Sequence, residues 1–154
     1  MSQTVSADEL LKYAGKTLRV SDWVQITQDQ IDRFADVTND HQFIHVEPEK
    51  AAASRFESTI AHGFLTLSLI SNLEPRDWPA LENTEMVINY GLDKLRFLRP
   101  VKVESRVRLR TKIVSVTEKR PHEYLVHTRR TMEIEGVDKP AFVAVQLVLI
   151  VQKQ

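Results

Sequence analysis

One polar segment of the chain brings together two histidines, a carboxylate and an amide. It is Thr38-Asn-Asp40-His41-Gln42-Phe-Ile-His45-Val-Glu47-Pro48. Asp40 and His45 are five residues apart, and across a bend both side chains can reach one water molecule, the carboxylate accepting a proton while the imidazole donates one or orients the water. Each also has an ordinary explanation, because Asp after a helix commonly caps or turns the chain and an isolated His is commonly solvated or hydrogen-bonded in a core. Asp40 and His45 are therefore candidate acid–base residues, and we expect the pair to be reachable by solvent.

A second polar break, Ala61-His62-Gly63, directly precedes a strongly apolar run. A glycine that opens a helix leaves backbone N–H groups free, and such groups can stabilise an anion or a developing oxyanion. Gly63 could equally serve only to turn the chain tightly into the helix. For His62, a capping or packing role is a commoner explanation than catalysis. The break thus adds Gly63 as a candidate oxyanion donor.

Helices must hold these two breaks in place. A capping box at Thr27-Gln-Asp-Gln30 precedes apolar residues spaced by three and four, which predicts an amphipathic helix over residues 28–38. A second box at Ser6-Ala-Asp-Glu9 predicts a short helix, with Gly15 in the C′ position.

The apolar run that follows Gly63 predicts the central helix. Residues 64–74 leave almost no polar face. A helix that is apolar all round must be covered on nearly all sides. We therefore expect other elements of the chain to wrap it.

The second half of the chain has the period of strands. In Arg106–Ile113 basic residues alternate with apolar or neutral ones, which indicates a half-buried antiparallel strand with a solvated basic face. Further strands are predicted over 86–98, with a bulge at Gly91, and over 123–135 and 141–151. Strands of this length suit a curved sheet rolled around one helix. The chain is thus expected to be α+β, a single hot-dog domain spanning residues 1–154.

Composition excludes several classes of protein. The 154 residues contain no cysteine, which rules out thiolate metal sites and cysteine nucleophiles and suits a reducing compartment. Lys and Arg together number 21, as do Asp and Glu, and this balance argues against nucleic-acid binding. Charged residues interrupt the first 25 positions and no apolar run is long enough for a membrane span, so we expect no signal peptide and a soluble cytoplasmic protein. Neither a Walker loop nor a dinucleotide-binding glycine motif is present.

The two breaks and their flanks resemble a known motif. Phe34-Ala-Asp-Val-Thr-Asn-Asp-His-Gln-Phe-Ile-His-Val, followed by Ala61-His-Gly-Phe-Leu-Thr-Leu-Ser-Leu, is similar to the hydratase 2 motif of the MaoC-like dehydratases, the (R)-specific enoyl-CoA hydratases. The likeness is strongest to the nodulation-protein-N-like branch. It extends over residues 17–150 and includes the segment Ile88–Val101.

The resemblance implies a hot-dog fold, a homodimer, and an acyl-CoA thioester bound near the subunit interface. The implied reaction is the reversible hydration of a trans-2-enoyl-CoA to the (R)-3-hydroxyacyl-CoA. Asp40 and His45 match the catalytic pair, and Gly63 matches the glycine whose N–H polarises the thioester carbonyl. Three further residues become substrate-binding candidates, namely Gln42, His62 and Ser68. No metal or other cofactor is implied, and CoA enters only as part of the substrate.

Two other functions remain open at this point. A hot-dog thioesterase would hydrolyse the thioester with a carboxylate near the same helix N-terminus. A protein that only binds acyl thioesters, or a dimeric scaffold, would keep the helix end and need no acid–base pair. The chain also departs from the family at Asn39, which replaces the usual glycine before the catalytic Asp. Asn is the residue other than glycine that best tolerates a positive φ, so the loop is expected to keep its shape.

Overall fold

The computed structural model describes residues 4–153, so the ends of the predicted 1–154 domain lie outside the described part. A five-stranded antiparallel sheet has the spatial order β2-β5-β6-β7-β4. Its strands are β2 (Val24–Gln25), β4 (Thr84–Phe97), β5 (Arg106–Arg120), β6 (Glu123–Ile134) and β7 (Val137–Gln152). A small parallel ladder joins β1 (Thr4–Val5) to β3 (Ala80–Leu81). The helices are α1 (Ala7–Leu11), α2 (Gln28–Thr38), α3 (Phe43–Val46), α4 (Pro48–Ala52) and α5 (Gly63–Ser68), and a 3-10 turn, Leu69–Ser71, extends α5.

Alternation along β5 builds the sheet as predicted. Val107, Leu109 and Ile113 are fully buried, while the basic residues between them face outward. On that outer face, Glu133 accepts hydrogen bonds from Arg108 at 2.6 Å and Arg110 at 2.8 Å. These arginines hold the pKa of the Glu133 carboxyl below its ordinary value, although partial burial opposes them. The basic stripe is thus a solvated, paired face.

The strand bounds differ modestly from the predicted ones. β5 continues to Arg120 because its pairing with β6 runs to the hairpin turn. β7 begins at Val137 rather than residue 141, since the turn before it is short and uses Gly136 at φ +73°. One of the three register shifts between β4 and β7 falls between Asn89 and Gly91, which confirms the predicted bulge.

Helix α2 spans the predicted residues 28–38. Both hydrogen bonds of its capping box are present, between Thr27 and Gln30. The predicted end of the first helix is wrong, because α1 stops at Leu11 and Gly15 is not its C′ residue. Gly15 instead adopts φ +84° in the following turn, where its N–H donates to the Ile113 carbonyl at 2.8 Å and ties the turn to β5.

The predicted helix over 64–74, covered on nearly all sides, is also wrong. The α-helical part is only Gly63–Ser68, and its exposed face carries Phe64, 65% exposed, with Leu67 half-buried beside it. The other face contributes Leu65 to a buried cluster with Phe142. The sheet covers one side and ends at β4, so the opposite side of α5 stays open in the single chain. Among residues 4–153 no helix has the length and apolar character that crossing a membrane requires.

Candidate active site

Asp40 is placed by the end of α2. Asn39 ends that helix with φ 57°, the left-handed conformation expected at this position, and the next residue turns away from the helix axis. The Asp40 N–H still donates to the Ala35 carbonyl at 3.1 Å, which fixes its backbone. The carboxylate itself is about half exposed. The backbone of Asp40 is thus held in place, and its carboxylate reaches solvent.

His45 lies on α3, a helical turn of four residues, within a segment where the sequence indicated only an irregular break. Its side chain is only 7% exposed, so His45 is buried on a helical turn and not on an exposed loop as expected, and solvent reaches it through the cavity that it lines. The turn packs against the strand-like segment before α5, because the Ile60 N–H donates to the Ile44 carbonyl at 2.9 Å. A second contact joins the same two segments, since His45 Nδ1 lies 2.7 Å from the Ile60 carbonyl oxygen.

This contact determines the protonation of the His45 ring. A carbonyl oxygen only accepts, so Nδ1 carries the proton that it donates to Ile60, and Nε2 of the neutral ring is an acceptor. Burial lowers the pKa of His45 below its ordinary value, and the nearby His62 lowers it further. The bond to Ile60 and the charge of Asp40 act in the other direction. The site therefore holds a neutral imidazole with an available lone pair.

His62 contacts both Asp40 and His45. Its ring stacks on His45 with centroids 3.7 Å apart and planes 22° apart, and Phe34 packs on it at 5.0 Å. Its Nε2 donates to the Asp40 carbonyl at 2.9 Å. Nδ1 is buried and has no hydrogen-bond partner among the described residues. His62 is thus packed inside the fold, which agrees with the packing role left open above and not with the substrate-binding role that the resemblance implied.

The three side chains form a compact cluster. One nitrogen of His45, one of His62 and a carboxylate oxygen of Asp40 lie within 4.8 Å of one another. A metal ion needs imidazole lone pairs that converge in their ring planes, about 2.0–2.1 Å from each nitrogen. Two rings stacked nearly parallel direct their lone pairs side by side, and His62 Nε2 is already a donor. The geometry suits a water molecule and a mobile proton better than a metal.

A cavity of about 320 Å³ opens next to the cluster. His45 and Gly63 both line it, together with Phe56, Thr66, Phe97 and Arg99. Gly63 is the first residue of α5, so its N–H has no acceptor within the helix. A Cβ at this position would lie 3.1 Å from the Phe97 ring, so close approach explains the glycine and no positive φ is involved.

The remaining candidates do not line this cavity. Gln42 is exposed before α3, and its backbone N–H donates to Asp40 Oδ1 at 3.4 Å. Ser68 donates to the Phe64 carbonyl and lines a different cavity near the end of α5. Sequence reasoning did not identify Phe56, Thr66, Phe97 or Arg99 as wall residues, because they come from three separate segments of the chain. The quoted family likeness covers Thr66, Phe97 and Arg99 but implied no role for them.

Known proteins resemble this chain over nearly its full length. 3-hydroxyacyl-thioester dehydratase Z of Mycobacterium tuberculosis is 45% identical over 143 residues, which cover 93% of this chain and 94% of the relative. Nodulation protein N of Rhizobium leguminosarum is 48% identical over 138 residues, which cover 88% and 85% of the two chains.

Solved structures share the fold at lower identity. The (R)-hydratase from A. caviae involved in PHA biosynthesis superposes with a TM-score of 0.71 at 23% identity, covering 86% of this chain and 95% of its own. R-hydratase PhaJ1 from Pseudomonas aeruginosa gives 0.70 at 23%, covering 91% and 83%. The likeness confirms the α+β hot-dog class. Residues 9–135 match the model of the MaoC like domain, and with relatives this similar along most of its length the chain belongs to the MaoC-like dehydratase family.

Proposed function

We propose that this protein is an acyl-thioester hydratase that reversibly converts a trans-2-enoyl-CoA to the (R)-3-hydroxyacyl-CoA. The observation that carries the proposal is the meeting of His45 and Gly63 on one cavity, with Asp40 beside them. Relatives named as a 3-hydroxyacyl-thioester dehydratase and as (R)-hydratases support the same reaction class. A thioesterase needs one base to activate water and a simple binding protein needs none, so the pair of acid–base groups favours hydration.

The acid–base pair binds and activates the water. The Asp40 carboxylate and His45 Nε2 are both acceptors, so one water molecule between them donates a hydrogen to each and directs its oxygen lone pair outward. As the oxygen bonds to Cβ of the enoyl group, the water gives a proton to the pair. The pair returns a proton to Cα, so that overall one water adds across the double bond.

The charge that develops during this addition sits on the thioester oxygen. A donor aimed at that oxygen stabilises it most when water is excluded. We assign this role to the Gly63 N–H, which is supported by its place at the start of α5 and on the His45 cavity. CoA takes part only as the carrier of the acyl group, and no step requires a metal or a further cofactor. Gln42 and Ser68 stay as proposed substrate contacts outside the acid–base cluster.

We further propose a cytoplasmic homodimer that forms along β4. Among the strands of residues 4–153, β4 pairs with β7 alone, which leaves one edge of β4 unpaired there, and its apolar side chains are exposed, among them Val87 at 59%. The open face of α5 adds Phe64 to the same side, and Phe64 contacts Phe97 of β4 at a ring distance of 5.9 Å. An exposed apolar edge strand is a liability in a monomer and is ordinarily covered. A second copy of this chain would cover it.

The test is a turnover assay. Purified protein is mixed with a short and a medium trans-2-enoyl-CoA, and the loss of the conjugated thioester absorbance is followed. We expect saturable hydration to the (R)-3-hydroxyacyl product with no release of free CoA. Release of free thiol in step with substrate loss would identify a thioesterase instead, and binding without turnover would identify a binding protein.

A further inference from the structure

A row of polar side chains crosses the core-facing side of the sheet, one from each of four strands. Its members are Thr111 on β5, Arg130 on β6, Gln146 on β7 and Asn89 on β4. Thr111 and Arg130 are fully buried and Gln146 is 7% exposed. The row separates the two apolar clusters of the core, one around Met132 and the other around Val126. We call this set the polar row.

Hydrogen bonds along the polar row run in one direction. A guanidinium only donates, so Arg130 Nε at 2.9 Å must face the oxygen of the Gln146 amide. The Gln146 nitrogen then faces outward and donates to Asn89 Oδ1 at 2.8 Å. Asn89 is thereby oriented with its oxygen occupied and its NH₂ group left to donate elsewhere.

Arg130 is anchored firmly enough to impose this direction. It also donates to Thr111 at 2.8 Å and to the two carboxylate oxygens of Glu74 at 2.9 and 3.2 Å. Burying such a pair costs desolvation, and apolar residues of similar size often serve stability equally well or better. If apolar side chains replaced the polar row, the two apolar clusters would join into one core. A role in ligand recognition accounts for the row better than stability does.

The outer end of the row lines a cavity of about 260 Å³. Asn89 and Gln146 form its polar wall, Leu67 and Leu92 its apolar walls, and Ser68 and Ser71 border it from α5 and the 3-10 turn. Asn89 is exposed to this space, whereas the rest of the row is buried. The cavity therefore offers an apolar channel with an oriented N–H donor on one wall.

The cavity and the proposed catalytic cavity lie at the two ends of the same short helix. α5 starts at Gly63 and ends at Ser68, and at 1.5 Å per residue the two positions are roughly 8 Å apart along the axis. If the thioester carbonyl lies at Gly63 and the acyl chain runs along α5, the distal end of the chain lies near Asn89.

We propose that this cavity receives the distal part of the acyl group and that Asn89 donates a hydrogen bond to an oxygen atom carried there. The preferred substrates are enoyl thioesters with a carbonyl or hydroxyl oxygen on the chain, rather than plain alkyl chains. This inference rests on the proposed hydratase function. A plain alkyl chain would displace water from the Asn89 amide without replacing its hydrogen bond, and an unpaired donor of this kind is what lets a site discriminate.

The test compares kcat/KM for two trans-2-enoyl-CoA substrates of equal chain length, one with a plain alkyl tail and one with a distal oxo group. For the unmodified protein we expect about a tenfold preference for the oxo substrate, the effect of one hydrogen bond. Asn89→Leu should reverse the preference, because the new side chain favours the alkyl tail. Asn89→Asp keeps the size but removes the donor, so it should also abolish the preference for the oxo group.

Asn72→Leu is the matched control, since Asn72 is exposed beyond the 3-10 turn and lies outside this cavity. It should keep the preference of the unmodified protein, and thermal unfolding checks that each variant is folded. Equal kcat/KM for the two substrates, or an oxo preference that survives in both Asn89 variants, would overturn the inference while leaving the hydratase function intact. Absence of turnover with every enoyl substrate would overturn the proposed function and the inference with it.

Discussion

The imidazole rings of His45 and His62 are stacked 3.7 Å apart at their centroids, and only the first of them lines the catalytic cavity. His45 carries its proton on the side of Ile60, so its other nitrogen is free for the water. His62 uses its own N–H to hold the backbone of Asp40. One buried ring thus positions both members of the proposed acid–base pair.

The role of His62 can be tested by replacing it with Phe, which keeps an aromatic ring against His45 and removes the bond to Asp40. We expect kcat to fall by about tenfold, while KM changes little, because His62 is buried and does not line the catalytic cavity. His62→Ala should cost more in both activity and stability, since it also opens a cavity. Steady-state kinetics on enoyl-CoA and urea unfolding measure the two effects. Unchanged kcat in both variants would show that His62 does not position the pair.

Burial of His45 predicts a pH-dependent stability. Its pKa is lowered in the folded state, so as pH falls below about 6.5 the unfolded chain takes up a proton that the folded chain does not. Stability contributed by the neutral ring is therefore full above pH 6.5, falls as pH drops toward the folded pKa, and then levels off. In His45→Gln this part of the pH dependence should disappear. His41→Gln, which removes an exposed imidazole, is the matched control for urea unfolding at pH 7.5 and 5.5. Parallel profiles for His45→Gln and the unmodified protein would contradict the assignment.

Two substitutions at Gly63 separate its N–H from its lack of a side chain. Gly63→Ala keeps the N–H but brings a Cβ within 3.1 Å of Phe97, whose half-exposed ring can shift. Gly63→Pro also adds a Cβ, together with two further ring carbons on the side of the nitrogen, and it removes the donor; proline is tolerated at the first residue of a helix. The preceding His62, at φ −58° and ψ 137°, has a backbone compatible with a following proline.

We expect hydration by Gly63→Pro to be slower than by Gly63→Ala by about 10²–10³ in kcat, the usual effect of losing one oxyanion donor. Circular dichroism should show both variants folded. Equal kcat for the two variants would remove the Gly63 N–H from the mechanism.

The proposed dimer can be broken at β4. Val87→Lys places a charge on the exposed apolar edge, a residue type that natural edge strands use to prevent pairing. Light scattering should give a dimer mass for the unmodified protein at micromolar concentration and a monomer mass for Val87→Lys. Val114→Lys, on the outer face of β5, is the control and should stay dimeric. A monomer mass for the unmodified protein would contradict the dimer.

Sequence patterns predicted the elements whose signals are local. The capping box at Thr27 located α2, and strict alternation located β5, because these signals depend on neighbouring residues alone. The cover over α5 is not a local property. An apolar helix face such as that of Phe64 looks the same in the sequence whether the chain itself or a second copy covers it.

The active site shows the same limit. Residue types and spacing identified Asp40, His45 and Gly63 as candidates, and the likeness to the hydratase 2 motif implied their roles. A helical turn of four residues is too short for periodicity to reveal, so the burial of His45 was missed. The polar row was visible in principle. Arg130 shares its strand face with Val126 and Met132, so alternation alone places it in the core. Its partners on neighbouring strands depend on the sheet register and could not be read from the chain.

The central claim is that Asp40 and His45 act together on one water. The most direct measurement is kcat for enoyl-CoA hydration by Asp40→Asn, His45→Gln and the double variant, with each shown to be folded. We predict a loss of about 10²–10⁴ for each single variant and a double variant barely worse than the worse single one. His45→Gln should lose some stability because the ring is buried, whereas Asp40→Asn should stay close to the unmodified protein. Full hydratase activity in folded Asp40→Asn would contradict the mechanism.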